Sequence, residues 1–483
     1  MIIPTLGKKV SERLTAARTP GAEGSSQDTE SASGGGQSRE HGHHTGAAQR
    51  ARPSLSAAAV LLRVAALVVV LALALIAFLS ATRGSVVRRV RDIGSSDQPV
   101  SPREPEFALG VAMLTGVVLL PNNGVEIAAN GDETFPRLWA DLRSAQRSII
   151  IQMYYGLPGR IADTLRSILT ERAAAGVRVL ALYDAFGTGT ISDTELAALR
   201  AAGIQVYPFR PLRLSSLNVV QNRAHVRAIV VDGRIGWTGG FGIDDKWLGD
   251  GHSNGGWRDT NVRFEGPAVR QLEAAFAAAW AEATGVLLTG RLTVPMQPSG
   301  TITAGLLYAS PTLGSTAAER FLALSIAGAS KSLYITNAYF APDANFVDLL
   351  VAAAKRGVDV RLLLAGPRTD VRLARHAARA RYNRLLAAGV RVFEWQPTSL
   401  HAKTFVVDER WSSVGTMNFD NRSLVLNDEV TLMVLDDGFG QRMATMFRND
   451  LERAVEITPD AFARRPWTER VLEEGANLIA RVL

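Results

Sequence analysis

The chain of 483 residues contains no cysteine, which excludes a disulfide framework, a thiolate metal site and a cysteine nucleophile. Histidine is scarce: seven occur, and His41, His43 and His44 share one polar stretch near the start. His225, His252, His376 and His401 are left for imidazole chemistry in the folded part. Aromatic residues make up only 7%, but 47% of the chain is hydrophobic, enough to bury a large core and too much for disorder throughout. The formal charge of +7 favours an anionic partner without separating phospholipid, nucleic acid and a merely basic surface.

Long uncharged runs are also rare. From Val64 to Thr82 the nineteen residues VAALVVVLALALIAFLSAT carry no charge, about enough at helical rise to cross a bilayer core, which predicts a transmembrane helix over 57–82. A buried core helix of this length would show a polar face, and its distance from the amino terminus argues against a cleaved signal peptide. Residues 1–56, with runs such as SASGGGQSREHGHHTG, predict a disordered tail, its HGHH cluster solvated rather than a metal site. Arg50, Arg52 and Arg63 precede the span, and Arg83, Arg88, Arg89 and Arg91 follow it. That slight excess puts the large domain in the cytoplasm, beyond a basic linker at 83–106. FALGVAMLTGVVLL, Phe107 to Leu120, is too short to span and holds two glycines, so a strand entering the globular domain is expected.

The remainder repeats itself. SAQRSIIIQMYYG at Ser144 matches GASKSLYITNAYF at Gly328, AAAGVRVLALYD at Ala173 matches AAKRGVDVRLLL at Ala353, and LRAAGIQVYPF at Leu199 matches LLAAGVRVFEW at Leu385. AHVRAIVVD at Ala224 likewise matches LHAKTFVVD at Leu400, and the offset stays between 176 and 186 residues throughout. Each half alternates short β-branched runs with Ala-, Leu- and Arg-rich stretches of helical period, the pattern of an α/β unit with a largely parallel, covered sheet. Two tandem α/β domains, 107–290 and 291–483, related by a pseudo-twofold axis, are the expected architecture.

The chemistry concentrates in one matched pair: His225, Arg227 and Asp232 in HVRAIVVD, and His401, Lys403 and Asp408 in HAKTFVVD. On a strand, side chains two apart share a face, so imidazole and cation can address one phosphate. Phosphoryl transfer asks for a nucleophile, neutralised nonbridging oxygens and a proton for the leaving oxygen. One such motif is weak, but two of the four remaining histidines fall at equivalent repeat positions, each followed two residues on by a cation.

At these residues the chain resembles the phospholipase D superfamily, whose signature is a pair of HxKxxxxD motifs, each followed by a glycine-rich turn and an asparagine. The second motif matches throughout, with Gly415, Thr416 and Asn418 in VGTMNFDNRSLVLNDEV, and Arg422, Ser423 and Glu429 at places where the cardiolipin synthase branch has counterparts. The first departs twice, with Arg227 for lysine and, in TGGFGIDDKW, Gly242 where asparagine is usual. Arginine can still neutralise a phosphate, whereas the lost amide removes a donor. NGDETFP at Asn130, GGWRDTNVRFEGPAV at Gly255 and YFAPD at Tyr339 extend the likeness from about Leu114 to the end.

The resemblance implies an enzyme of the cell inner membrane that moves a phosphatidyl group between phosphatidylglycerol molecules; such enzymes often carry two amino-terminal spans, whereas this sequence shows one, which makes it single-pass. It implies catalytic His225, His401, Arg227, Lys403, Asp232 and Asp408, with Asn418 and Thr416 supporting the phosphate. His225 would form a phosphohistidine while His401 protonates the leaving alcohol and then deprotonates the incoming hydroxyl. Asp259 and Glu429 are the carboxylates implied to hold the other ring nitrogens. Strand alternation turns Asp232 and Asp408 away from the histidines, towards a structural task. No cofactor or metal is expected, because Arg227 and Lys403 supply the positive charge and no metal-type ligand spacing occurs outside the tail. The partners implied are the membrane and anionic phospholipids, phosphatidylglycerol and cardiolipin, rather than nucleic acid. A tethered hydrolase or nuclease, and a weakly active lipid-binding scaffold, remain as rivals.

Two surface expectations complete the reading. RTDVRLARHAARARYNR places Arg372, Arg375, His376 and Arg379 on one helical face that could grip anionic headgroups or be solvated. WTERVLEEGANLIARVL puts Val471, Leu472, Leu478, Ile479, Val482 and Leu483 at helical spacing, expected to pack on the domain.

Overall fold

The computed structural model describes residues 57–81, 84–91, 99–154, 156–189, 191–211, 222–253, 256–289, 297–312 and 314–480. The tail expected over 1–56 and the domain boundary at 290/291 lie outside them. The chain divides into a unit ending at Ala77 and one running from Phe78 to Leu483. Helix α1 (Ala57–Ala81) has 25 residues, with side chains described only between Leu61 and Leu75 in part. Among the described residues no helix is long and apolar enough to cross a membrane.

The larger unit is organised by one sheet of fifteen strands. In the first half these are β1 (Leu120–Ala129), β2 (Ser148–Met153), β3 (Arg178–Asp184), β4 (Gln205–Phe209), β5 (Arg227–Val231), β6 (Ile235–Gly239) and β7 (Thr260–Glu265). The second half supplies β8 (Ile302–Ala309), β9 (Ser332–Asn337), β11 (Asp359–Ala365), β12 (Arg391–Trp395), β13 (Lys403–Val407), β14 (Trp411–Gly415), β16 (Glu429–Leu435) and β17 (Ala454–Ile457). Two short strands, β10 (Phe340–Ala341) and β15 (Phe419–Asp420), pair separately.

Outward from the central β1–β8 pair, the order is β7, β6, β5, β2, β3, β4 on one side. On the other it is β16, β14, β13, β9, β11, β12, with β17 added at the edge. The strand order is therefore mirrored about the junction, as the internal repeat predicts, and the half-sheets join into one.

The sheet is mixed rather than largely parallel. Among its fourteen neighbouring pairs only β2–β3, β3–β4, β9–β11 and β11–β12 are parallel. The tight connections Asp232–Arg234 and Asp408–Arg410 join β5 to β6 and β13 to β14, and connections this short require antiparallel strands. Only where a helix intervenes can the chain return in parallel.

The helices of this unit are α2 (Glu106–Thr115), α3 (Asn130–Ser144), α4 (Arg160–Ala174), α5 (Asp193–Ala201), α6 (Ala268–Thr284), α7 (Ala317–Ala327) and α8 (Ala344–Lys355). They continue as α9 (Arg372–Arg379), α10 (Tyr382–Ala387), α11 (Asp437–Leu451), α12 (Pro459–Ala463) and α13 (Trp467–Ile479). α6 and α11 cover one sheet face across both halves, α3 to α5 the other face of the first half, and α2, α7, α8 and α10 that of the second. Along β5, Ala228 and Val230 join the α6 cluster while Ile229 and Val231 join the α4 cluster. Coverage on both faces is why AIVV reads as continuous hydrophobicity rather than alternation.

The segment from Phe107 forms α2 rather than a strand. Phe107 and Val111, one helical turn apart, are buried, whereas Leu109 and Met113 are exposed, and Gly116 closes the helix in left-handed conformation at φ 77°. Phe107 meets Trp411 edge to face at 5.1 Å. The carboxyl-terminal helix also departs from expectation: α13 buries Glu473, Ala476 and Ala480 and turns Val471, Leu472 and Leu478 outward. Ile479's side chain, Val482 and Leu483 lie outside the described set. An ionic network selects that face, since Arg379 bonds Glu394, Glu469 and Glu473. Arg375 also bonds Glu394, so of the expected headgroup-gripping arginines only Arg372 stands exposed.

Candidate active site

Each motif histidine lies two residues ahead of its strand, and the cation opens the strand: Arg227 begins β5 and Lys403 begins β13. What holds each histidine is a bridge to the opposite half. Ala224 pairs with Asp428 and Leu400 with Arg258, so the residues that follow, His225 beside Glu429 and His401 beside Asp259, are brought together. The bridges rest on Asp428 N–H donating to Arg223 O at 2.9 Å, Arg258 N–H to Ser399 O at 2.9 Å and His401 N–H to Arg258 O at 2.7 Å.

The histidine–carboxylate pairs are therefore crossed between halves. Nδ1 of His225 lies 2.9 and 3.0 Å from the Glu429 oxygens, and Nδ1 of His401 lies 3.1 Å from Asp259 Oδ2. Arg227 donates Nε–H to Phe241 O at 3.0 Å and points Nη1 at His225 Nε2 at 2.9 Å. A guanidinium only donates, so Nε2 of His225 is the acceptor and its proton sits on Nδ1, facing Glu429. That tautomer leaves a lone pair on Nε2, as a nucleophile requires. Lys403 Nζ lies 2.9 Å from His401 Nδ1 and donates to His401 O at 2.5 Å. An Nδ1–H given to Asp259 cannot also accept from Lys403, so the carbonyl is the ammonium's partner in that tautomer.

None of His225, Arg227, Asp259, His401, Lys403 and Glu429 is more than 7% exposed. Burial, with Arg227 and Lys403 beside it, holds the His225 imidazole well below its ordinary value. Burial and Lys403 bring His401 down to about 4, against the pull of Asp259. Burial lowers the Lys403 ammonium to about 7 and pushes Glu429 well above the usual carboxylate range. For Asp259 burial acts upward, but the hydrogen bond from His401 and the nearby charges leave it lowered. Two cations and two imidazoles thus crowd one closed site, where a phosphodiester anion would relieve their repulsion.

The supporting residues differ between halves. Thr416 donates its hydroxyl to Glu429 at 2.5 Å and accepts from Val430 N–H at 3.0 Å. Asp259 receives the indole N–H of Trp247 at 2.8 Å and Thr260 N–H at 2.8 Å. Its backbone N–H donates to Asn130 Oδ1 at 3.0 Å, which gives a task to the first residue of NGDETFP. Asn418 is buried, and its side-chain oxygen has no hydrogen-bond partner among the described residues. The motif aspartates lie away from the histidines, both at positive φ in the turns after β5 and β13. Asp232 accepts from the backbone N–H groups of Gln146, Arg147 and Ser148, and Asp408 from those of Ser330, Lys331 and Ser332. They tie the strand turns to the starts of β2 and β9, a structural task set by their place in the turns rather than by strand alternation.

Sequence reasoning missed the aromatic walls. Tyr154 meets the His225 ring edge-on at 4.9 Å, and Trp247 and Trp257 each lie 5.3 Å from the His401 ring. The repeat gave no signal for Tyr154, which aligns with Ala338, and Trp247 had only its place five residues after the unusual Gly242. Tyr339, 6.0 Å from His401, donates to Asp370 at 2.7 Å. Among the described residues no group of three or more His, Asp or Glu is arranged to hold a metal ion.

Comparison with known proteins matches the duplication. The family described as "Cardiolipin synthase, PLD-like domain" matches residues 138–280 and 322–451, one stretch in each half. Cardiolipin synthase of Geobacillus kaustophilus is 35% identical over 74% of this chain and 72% of its own length. Cardiolipin synthase A of Pseudomonas putida is 34% identical over 75% and 76%. The phosphatidylserine synthase structure from Haemophilus influenzae aligns with TM-score 0.58 at 13% identity, covering 78% of this chain and all of that one, a likeness of fold.

Proposed function

Because this chain belongs to the cardiolipin synthase family of phospholipase D-like proteins, we propose that it is a membrane-anchored phosphatidyltransferase that makes cardiolipin from two phosphatidylglycerol molecules. The observation that carries the reading is the crossed pair of histidines, each backed by a buried carboxylate of the opposite half. Nε2 of His225 attacks phosphorus while the bond to the departing glycerol oxygen breaks, and His401 gives that oxygen its proton. His401 then takes the proton from the hydroxyl of a second phosphatidylglycerol, which attacks phosphorus and releases His225. The net products are cardiolipin and glycerol.

Arg227 and Lys403 neutralise the nonbridging oxygens. A bound phosphodiester also adds negative charge that favours a proton on His401, against the lowering by burial and Lys403. Supporting the anchor is the uncharged nineteen-residue run Val64–Thr82, about long enough at helical rise to cross a bilayer core. Leu61, Leu67, Val70 and Leu75 are each more than half exposed. The arginines after the run favour a catalytic unit on the cytoplasmic side.

The test is lipid analysis of membranes containing the protein, His225→Ala or His401→Ala, supplied with labelled phosphatidylglycerol. New cardiolipin that disappears in both variants is expected. Phosphatidic acid without cardiolipin would replace the reading with a hydrolase, and retained phosphatidylglycerol without turnover with a scaffold.

A further inference from the structure

The two halves allow a direct internal comparison at the turn after each motif. Gly239 faces Asn261 across β6 and β7, and Gly415 faces Thr431 across β14 and β16. Counting along from these glycines, Gly240 corresponds to Thr416 and Gly242 to Asn418; counting back from their partners, Asp259 corresponds to Glu429. The second half supports its carboxylate with the Thr416 hydroxyl. The first half has neither that hydroxyl nor the asparagine.

Both absences are filled by one side chain. A Cβ at Gly242 would stand 2.7 Å from Cζ3 and 2.8 Å from Cη2 of Trp247, so the indole occupies the space an asparagine there would need. A Cβ at Gly240 would lie 2.2 Å from Asp259 Oδ1, so the shorter carboxylate packs where a threonine would start. Gly131 completes the fit, since a Cβ there would fall 1.9 Å from the Trp247 carbonyl oxygen. Trp247 is 2% exposed, and its Nε1–H reaches the same Asp259 oxygen, at 2.8 Å, that lies against His401 Nδ1.

We propose that Trp247 is a positioning residue of the site, replacing the first half's motif asparagine by volume and the Thr416-type donor by its indole N–H, and so fixing the carboxylate that orients His401. The indole donor stabilises charge on Asp259 and holds Oδ2 in line with the imidazole. The missing asparagine at Gly242 and the missing hydroxyl at Gly240 are then one coupled exchange with Trp247, an amide's volume and a hydroxyl donor for an indole.

This deepens the transfer reading, and its kinetic readout rests on that reading; the spectroscopic readout does not. The full chain is labelled with ring-15N histidine, and the His401 resonances are identified by their absence in His401→Ala. Trp247→Phe keeps a ring and removes the N–H. Asp259, relieved of one donor, should attract the imidazole proton more strongly, so His401 should titrate at higher pH than in the unaltered protein. The kcat for phosphatidyl transfer should fall about tenfold, with KM within about twofold.

Trp257→Phe alters another ring beside His401 and should leave the titration in place. A Trp247→Phe protein whose His401 titrates like the parent's, or shifts no more than in Trp257→Phe, overturns the proposal. Adding Gly242→Asn to Trp247→Ala should recover at least about threefold of the lost kcat; no recovery overturns the exchange of volumes. Failure of every form to transfer phosphatidyl groups, with the titration shift present, would sink the transfer reading and leave the positioning role standing.

Discussion

The two halves build the same arrangement from different atoms. The second half uses Lys403, Asn418 and a Thr416–Glu429 pair; the first uses Arg227, Gly242 and a Trp247–Asp259 pair. Glutamate is one carbon longer than aspartate, and each half compensates: Thr416 stands behind the long side chain, while Gly240 clears room for the short one. What is held constant is the imidazole with its Nδ1 against a carboxylate and a cation two residues on. The difference teaches that the geometry belongs to the pair, because each half's carboxylate serves the other half's histidine. Either half alone would present a histidine without its partner.

The largest test of that crossing is chemical. Glu429→Gln and Asp259→Asn should each lower kcat by about a thousandfold, since an amide cannot hold the same tautomer or stabilise the imidazolium. Labelled-lipid turnover of the purified protein measures it, and a loss confined to one variant would mean that one half carries the chemistry alone.

The halves are also joined by Arg258 of the first and Asp450 of α11, a buried pair at 2.6 Å next to the Leu400 bridge. Arg258→Ala leaves a buried carboxylate uncompensated and should cost about 3–5 kcal/mol in denaturant unfolding. A value near zero would show that the halves cohere without that link.

The cations sharpen the comparison through pH. Lys403 falls to about 7 from 10.5 on burial, so between those values the unfolded chain binds more protons and folding stability rises with pH. The charge on the site is lost over the same interval. The free enzyme should therefore lose kcat/KM above about pH 7 while its melting temperature does not fall, and Lys403→Arg should remove that alkaline limb. An unchanged limb in Lys403→Arg would assign it to another group.

The smallest contrast lies in the structural aspartates. Asp408 takes the Ser330 hydroxyl in addition to three backbone donors, so Asp408→Asn should destabilise more than Asp232→Asn, by about 1 kcal/mol. Equal losses in chemical denaturation would count the hydroxyl as idle.

Much of this was legible in the chain itself. The repeat led to a pseudo-twofold pair of α/β halves, with which the mirrored strand order is consistent, and the matched spacing of His225 with Arg227 and of His401 with Lys403 put each imidazole and its cation on one face, where the structure has them adjacent. The parallel character of the sheet was overestimated, because β-branched runs report coverage on both faces and not strand direction. α2 was mistaken for a strand because a short apolar run carries too few turns to reveal its period, although Phe107 and Val111 sit at helical spacing. α13 was expected to bury its leucines, but the contacts of Glu473 and Glu469 with Arg379 decided which face turns inward.

By itself the sequence determined the duplication, the two histidine–cation pairs and the aspartates of the strand turns, because each is written in local spacing that backbone geometry converts directly into position. Only the tertiary structure decided that Glu429 serves His225 and Asp259 serves His401, and that Trp247 fills the place left by Gly242. Those facts depend on two β-bridges between segments more than a hundred residues apart and on which of two large groups occupies one buried volume, and neither leaves a period or a spacing in the chain.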